Sequence, residues 1–382
     1  MKKNCRSDYL GRTGMDKMNV KCTAQNVPLR GTPPLRGGRI FFRFQLNMAV
    51  YAGIIGISAL FIWTGVSYFI AAAVGVTAFI LLLNLVLCCL GRFIGNKYSI
   101  SGRAARSCSV LFSVLTIIIS LLGLIYVMQD AMIFINVPYR EAREFIQGMQ
   151  GVRYIEVSFT AENGKTYNGV MFRAYDEKAP LVIYFGGNAE VSFLHVQMRS
   201  LLGQWGYFAG FNYLVIDYEG YGINEGRTNY RNIYEGALAV FDFAVTLPYV
   251  DSERIVVKGF SLGTGAAVYL AANRPVAGLI LAAPFAAGHD LYNNVLPIFR
   301  GPLRRLVNQR FPSYEHAPNV LCPVLVIASR NDEIIPFSSS ERLAGLFPGD
   351  VDFMILDNER HNFIFQGSGV FNRVQSFLEG IR

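Results

Sequence analysis

"KGFSLGTGAAV", Lys258 to Val268, follows the β-branched run Ile255-Val256-Val257 and leads into an Ala-rich segment. A strand that turns sharply into a helix around a serine, with glycine two residues before and after, has a specific chemical use. It lifts the Ser261 hydroxyl to the carboxyl end of a strand, while Gly259 and Gly263 let strand and helix approach each other. The N–H of Leu262, at the helix start, then faces the place where an oxyanion would form. The chain holds 37 glycines in 382 residues, enough for G-x-S-x-G to arise from composition alone, so the surroundings decide what the motif means.

Those surroundings alternate. Strands are expected at Tyr154–Thr160, Tyr167–Arg173, Leu181–Phe185, Tyr213–Asp217, Ile255–Gly259, Gly278–Pro284, Val324–Ser329 and Val351–Leu356. Helical-period segments fall at Val191–Gln204, Tyr230–Leu247, Thr264–Asn273, Ser338–Phe347 and Gly369–Gly380. Near-continuous apolar strands separated by helices imply a mostly parallel sheet covered on both faces, here an eight-stranded, doubly wound α/β fold. The turn "ENGK" between the first two strands suits an antiparallel hairpin at the sheet edge. Residues 286–319 break the alternation and read as a small helical insertion, in which Leu303–Gln309, if helical, carries a basic face.

A serine hydroxyl needs a base and an acid that orients the base. "LVIASRNDEIIP" puts Asp332 just beyond the seventh strand, with Glu333 as its neighbouring alternative, and "MILDNERHNF" puts His361 just past the eighth. His195 falls in a helix before the elbow, and His289 and His316 lie in the insertion, so His361 is the well-placed base of the four histidines. Ser, Asp, His is the chain order that a nucleophile elbow of this kind requires. The third strand runs into "YFGGNAE", where a backbone N–H of Asn188 or Ala189 is the expected second oxyanion donor beside Leu262. Asp217 also ends a strand and reads as part of a structural turn.

The rest of the chain is unusually apolar: 52% hydrophobic and only 16% charged. From Asn47 to Leu90 no residue is charged, about twice the ~20 residues that one helix needs to cross a bilayer. Ser107 to Gln129 is a second such run. Three spans are expected, at about 48–68, 72–90 and 108–128, because lipid demands that backbone polar groups pair within the segment. The sequence thus divides into a basic tail (1–46), a transmembrane region (47–129) and a catalytic domain (130–382). The run is too long and too far from the start for a cleavable signal peptide. Residues 1–106 carry a net +12 and the remainder −4. An excess of Lys and Arg in the tail and the 92–106 loop marks the cytoplasmic side, so the catalytic domain is expected on the other side of a bacterial inner membrane or a eukaryotic membrane. This accounts for the basic tail without a nucleic-acid partner. Of six cysteines only Cys322 lies in the catalytic part, so no internal disulfide is expected there. Cys88-Cys89 reads as apolar filler, with acylation the alternative. No Cys/His spacing suggests a metal, and no cofactor is expected.

From about Val137 onward the chain resembles the α/β-hydrolase superfamily, and most nearly its membrane-anchored α/β-hydrolase-domain serine hydrolases, which include acyl-protein thioesterases and lipid esterases. The resemblance rests on the collinear set "GGNA", "DYEGYGINEG", "GFSLGTG" and "SRNDEIIP". Gly186 stands where such proteins usually have His, and Asn224 where they have Ser. The resemblance implies a serine hydrolase acting on an ester or thioester through an acyl-enzyme, on a lipid or a lipidated protein. Two alternatives stay open: a serine peptidase on the same fold, or an impaired hydrolase serving as a binding scaffold. Arg300, Arg304, Arg305 and Arg310 in the insertion would form a basic face able to meet lipid head groups.

Overall fold

The structure, a computed structural model, describes residues 102–135, 154–175, 177–202, 210–295 and 297–381. Eight strands form one sheet in the order β1-β2-β4-β3-β5-β6-β7-β8. They are β1 (Ile155–Thr160), β2 (Thr166–Phe172), β3 (Ala179–Phe185), β4 (Asn212–Ile216), β5 (Val250–Phe260), β6 (Gly278–Ala282), β7 (Val324–Ser329) and β8 (Val351–Leu356). The expected hairpin joins β1 to β2, antiparallel, with Thr160 opposite Thr166. β2 also runs antiparallel to β4, and all later pairs are parallel.

Burial follows strand position. β3, β4, β6 and β7 are buried at every residue, because helices cover both faces of a parallel sheet. The edge strand β1 buries only Val157, and β8 at the other edge only Leu356. β5 starts at Val250, five residues before the expected Ile255, because Val250 pairs with Ala179 across a register shift. The polar "DSER" that hides this start from the sequence sits where the strand emerges at the surface.

The helices are α1 (Gly102–Ile133), α2 (Ser192–Leu202), α3 (Tyr230–Ala244), α4 (Leu262–Asn273), α5 (Gly288–Val295), α6 (Ser313–His316), α7 (Phe337–Ala344) and α8 (Val370–Glu379). Tyr234 of α3 stacks on Tyr269 of α4 with centroids 4.2 Å apart. Asn229 caps α3, accepting from the N–H groups of Arg231 and Asn232. In the insertion, Leu303–Gln309 is not one helix. A 3-10 turn, Gly301–Leu306, ends at Val307, whose backbone is extended. Phe311 pins the insertion to the core among Phe285, Tyr234 and Phe134.

Of the expected spans, 48–68 and 72–90 lie outside the described residues, and 108–128 falls within α1. Leu111, Leu115, Ile118 and Ile119 of α1 are exposed. Among the described residues, no helix is long and apolar enough to cross a membrane.

Candidate active site

Every parallel strand delivers its carboxyl end to the same edge of the sheet, where open α/β sheets hold their ligands. β5 ends at Phe260, and the next residue, Ser261, has φ 49° and ψ −117°, a conformation that side-chain-bearing residues rarely adopt. Three contacts hold it there: the Ser261 N–H donates to the Ala282 carbonyl at 2.9 Å, and the Ser261 carbonyl accepts from the Thr264 N–H and hydroxyl. Both glycines are required by space. A Cβ on Gly259 would stand 2.7 Å from the Gly263 carbonyl, and one on Gly263 would overlap the carbonyls of Phe185 and Gly186. The strain is therefore imposed by the packing of α4 on β3 and β5.

The His361 Nε2 lies 2.9 Å from the Ser261 Oγ, and its Nδ1 lies 2.8 Å from Asp332 Oδ2. His361 opens a 3-10 turn after β8, and Asp332 follows β7. The Asp332 carboxylate also accepts the N–H groups of Ile334 and Ile335, each at 2.8 Å, which fixes its plane. Glu333, the sequence alternative, takes the backbone N–H of His361 and the Arg360 guanidinium instead. It shapes the loop and does not touch the imidazole. Ser261, His361 and Asp332 thus stand in one hydrogen-bonded line, with the serine and histidine buried.

The loop after β3 lies against the elbow: a Cβ on Gly187 would come within 2.9 Å of the Phe260 ring. Ala189 has φ 64°, which turns the loop back toward α2. Its N–H is directed at Asn188 Oδ1, at 3.1 Å. The Asn188 side chain faces away from the chemistry. It accepts from the Tyr221 hydroxyl at 2.7 Å and the Ile135 N–H at 2.9 Å, and donates to the Ile133 carbonyl. The loop is therefore fastened to the end of α1.

Gly186, the departure from the resembled pattern, has a counterpart. A Cβ there would meet the Glu190 carboxylate at 3.1 Å. Glu190 occupies that space and binds the Gly187 N–H at 2.7 Å, the Tyr184 hydroxyl and His195 Nε2. Burial alone would push the Glu190 carboxyl up; His195, the Gly187 N–H and Tyr184 together hold it below its ordinary value. Behind it, Lys258 is fully buried, its ammonium 4.1 Å from the Phe365 ring centroid. Burial lowers Lys258 to about 7, against the pull of Glu190. Sequence reasoning misses both roles, although a lysine inside an apolar strand is itself a signal. Asp217 serves the turn, as expected. Its carboxylate accepts the N–H and hydroxyl of Ser192 at the head of α2, and burial raises it to about 6. Asn224 joins Asp217 to Asn168 of β2, donating to the Asp217 carbonyl and accepting from the Asn168 N–H and amide.

The chain matches the prolyl oligopeptidase family over residues 204–379, the stretch that contains the elbow, Asp332 and His361. It is 32% identical over 201 residues to an uncharacterized protein of Mycobacterium tuberculosis, across 52% of this chain and 69% of that one. It is also 31% identical over 183 residues to the alpha/beta hydrolase domain-containing protein aho-3 of Caenorhabditis elegans, across 48% of this chain and 53% of the relative. The chain belongs to the α/β-hydrolase superfamily. An esterase of Pyrococcus furiosus is similar in structure, with a TM-score of 0.49 and 18% identity over 60% of this chain and 91% of that one. As an α/β-hydrolase, the chain carries its serine, acid and histidine in that order, on the loops after β5, β7 and β8.

Proposed function

We propose that this protein is a membrane-anchored serine hydrolase that cleaves carboxylic esters or thioesters through an acyl-enzyme. One observation carries the reading: a strained Ser261 whose hydroxyl lies 2.9 Å from His361, with Asp332 on the far side of the ring. Ser261 Oγ attacks the acyl carbon while His361 Nε2 takes its proton. The Asp332 carboxylate holds Nδ1–H toward itself and stabilises the imidazolium that forms. The Leu262 N–H and the Asn188 N–H receive the oxyanion, the Ala189 N–H being turned to Asn188 Oδ1. Collapse expels the alcohol or thiol, protonated by His361. Water, activated by the same imidazole, then releases the acid and restores the serine. Anchoring rests on the uncharged runs before residue 130, and the charge asymmetry sets the catalytic domain opposite the cytoplasm. Proximity to a bilayer favours acyl chains presented from it.

The match to the prolyl oligopeptidase family supports a second reading, a serine peptidase using the same residues. Full-length protein assayed against matched p-nitrophenyl esters, acyl thioesters and peptide amides separates the two. Esters and thioesters should turn over at least about 100-fold faster than amides, and Asp332→Asn should cost about 10^4-fold in kcat. Faster amide cleavage would make the protein a peptidase; no turnover of any class would make it a scaffold.

A further inference from the structure

The insertion encloses a cleft of about 820 Å³ lined by Arg304, Arg305, Arg310, Arg342, His289 and Tyr314. Two carboxylates stand near these four guanidiniums. Glu315 in the wall accepts the Tyr314 hydroxyl at 2.7 Å, and Asp290 behind it pairs with Arg342 at 2.5 Å. Among the described residues, Arg304, Arg305 and Arg310 have no carboxylate within salt-bridge distance, and all three are exposed. Burial and the nearby Arg304 and Arg342, against Asp290, keep His289 below its ordinary value. The cleft therefore carries a net positive charge. A guanidinium offers a planar fork of N–H donors that suits phosphate oxygens.

The position of the cleft says which phosphate. The basic turn Gly301–Leu306 is fastened to the foot of α1: Gln129 Nε2 donates to the Leu306 carbonyl at 2.7 Å, and its Oε1 accepts the Asn308 N–H at 2.8 Å. Asp130 adds Asn308 and Gln309, at 3.0 and 2.7 Å. One turn back along α1 stands the exposed Tyr126, and beyond it the exposed Ile118, Ile119 and Leu115. At 1.5 Å per residue, Ile118 lies about 16 Å along the helix from Gln129. An apolar helix surface, then an aromatic residue, then arginines is the order met on leaving a bilayer through its head groups.

We propose that this cleft binds the phosphate of an anionic lipid head group where α1 meets the membrane surface, an assignment that rests on the membrane-anchored reading above. Lipid held there would stand beside the hydrolase domain and dock its catalytic face at a fixed height over the bilayer.

The test uses the full chain purified in a neutral detergent. It is titrated with dioctanoyl phosphatidylglycerol, dioctanoyl phosphatidylcholine and inorganic phosphate, and retained ligand is read by native mass spectrometry. The anionic lipid should bind at least about ten-fold tighter than the zwitterionic one and weaken with salt. With about five-fold contributed per arginine, the combined variant R304Q/R305Q/R310Q should lose the preference. Labelling of that variant by a fluorophosphonate probe shows that it is folded, and the lipid preference of the unmodified chain stands without it. Equal affinity for the two lipids, an unchanged preference in the variant, or inorganic phosphate binding as tightly as the lipid would overturn the assignment. Carbonate extraction of membranes separates this from the anchored reading. A chain that resists extraction yet shows no lipid preference refutes the cleft alone; one that is extracted yet prefers the anionic lipid supports the cleft and refutes the anchor.

Discussion

Ser261 sits at φ 49°, ψ −117°, and a residue with a side chain held there costs the fold about 1–3 kcal/mol. Only glycine adopts such a conformation freely. Ser261→Gly should therefore abolish hydrolysis and raise the unfolding free energy by about 1 kcal/mol, whereas Ser261→Ala should abolish hydrolysis without that gain. Denaturant melts of the three proteins check it, and a destabilised glycine variant would show the backbone to be unstrained. Residue identity is legible in the sequence wherever order and spacing constrain it. Ser261, Asp332 and His361 all follow from the sequence, because an elbow and two strand-end loops leave few candidates. Glu190 is not legible: its role depends on the empty space at Gly186, and no spacing rule relates a missing side chain to a carboxylate four residues on.

Elements are legible where burial writes a pattern. The all-buried strands β3, β6 and β7 read as continuous apolar runs, so their positions follow from the sequence to within a residue or two. The start of β5 and the 3-10 turn at Gly301–Leu306 do not, because tertiary pairing with Ala179 sets the first and a Pro near the turn start limits the second. One carboxylate joins the insertion to α7, beside the Ala286 N–H, which donates to the Ser339 hydroxyl at 2.9 Å. Asp290 accepts from the Ser339 hydroxyl at 2.6 Å, the Arg342 guanidinium and, at 3.2 Å, the Ala287 N–H. Asp290→Ala leaves these donors without their acceptor and should cost about 2–3 kcal/mol. Hydrogen exchange should then rise in residues 287–295 and at the start of α7 while the central strands stay protected. Unchanged exchange in the insertion would show that the Phe311 anchor and the α1 contacts hold it without Asp290.

For the molecule as a whole, folding carries a charge cost at Lys258. The buried lysine is held near 7, while in the unfolded chain it returns to 10.5. Between these values the unfolded state binds more protons, so stability rises with pH across that window, by up to about 1.4 kcal/mol per pH unit. Lys258→Met should flatten that rise, as followed by urea unfolding at pH 7, 8 and 9. An identical slope in both proteins would mean that Lys258 keeps its ordinary affinity for protons. Membrane orientation belongs to this scale too. Reporter fusions at the C-terminus should give an active phosphatase and a dark fluorescent protein if three spans carry the domain across; the reverse would place it in the cytoplasm. The central claim is that Ser261 is an activated nucleophile, and labelling of the full-length protein by a fluorophosphonate probe tests it most directly. The account predicts rapid labelling of the unmodified chain at Ser261 and none of Ser261→Ala. Equal labelling of the two, or none of either, would contradict it.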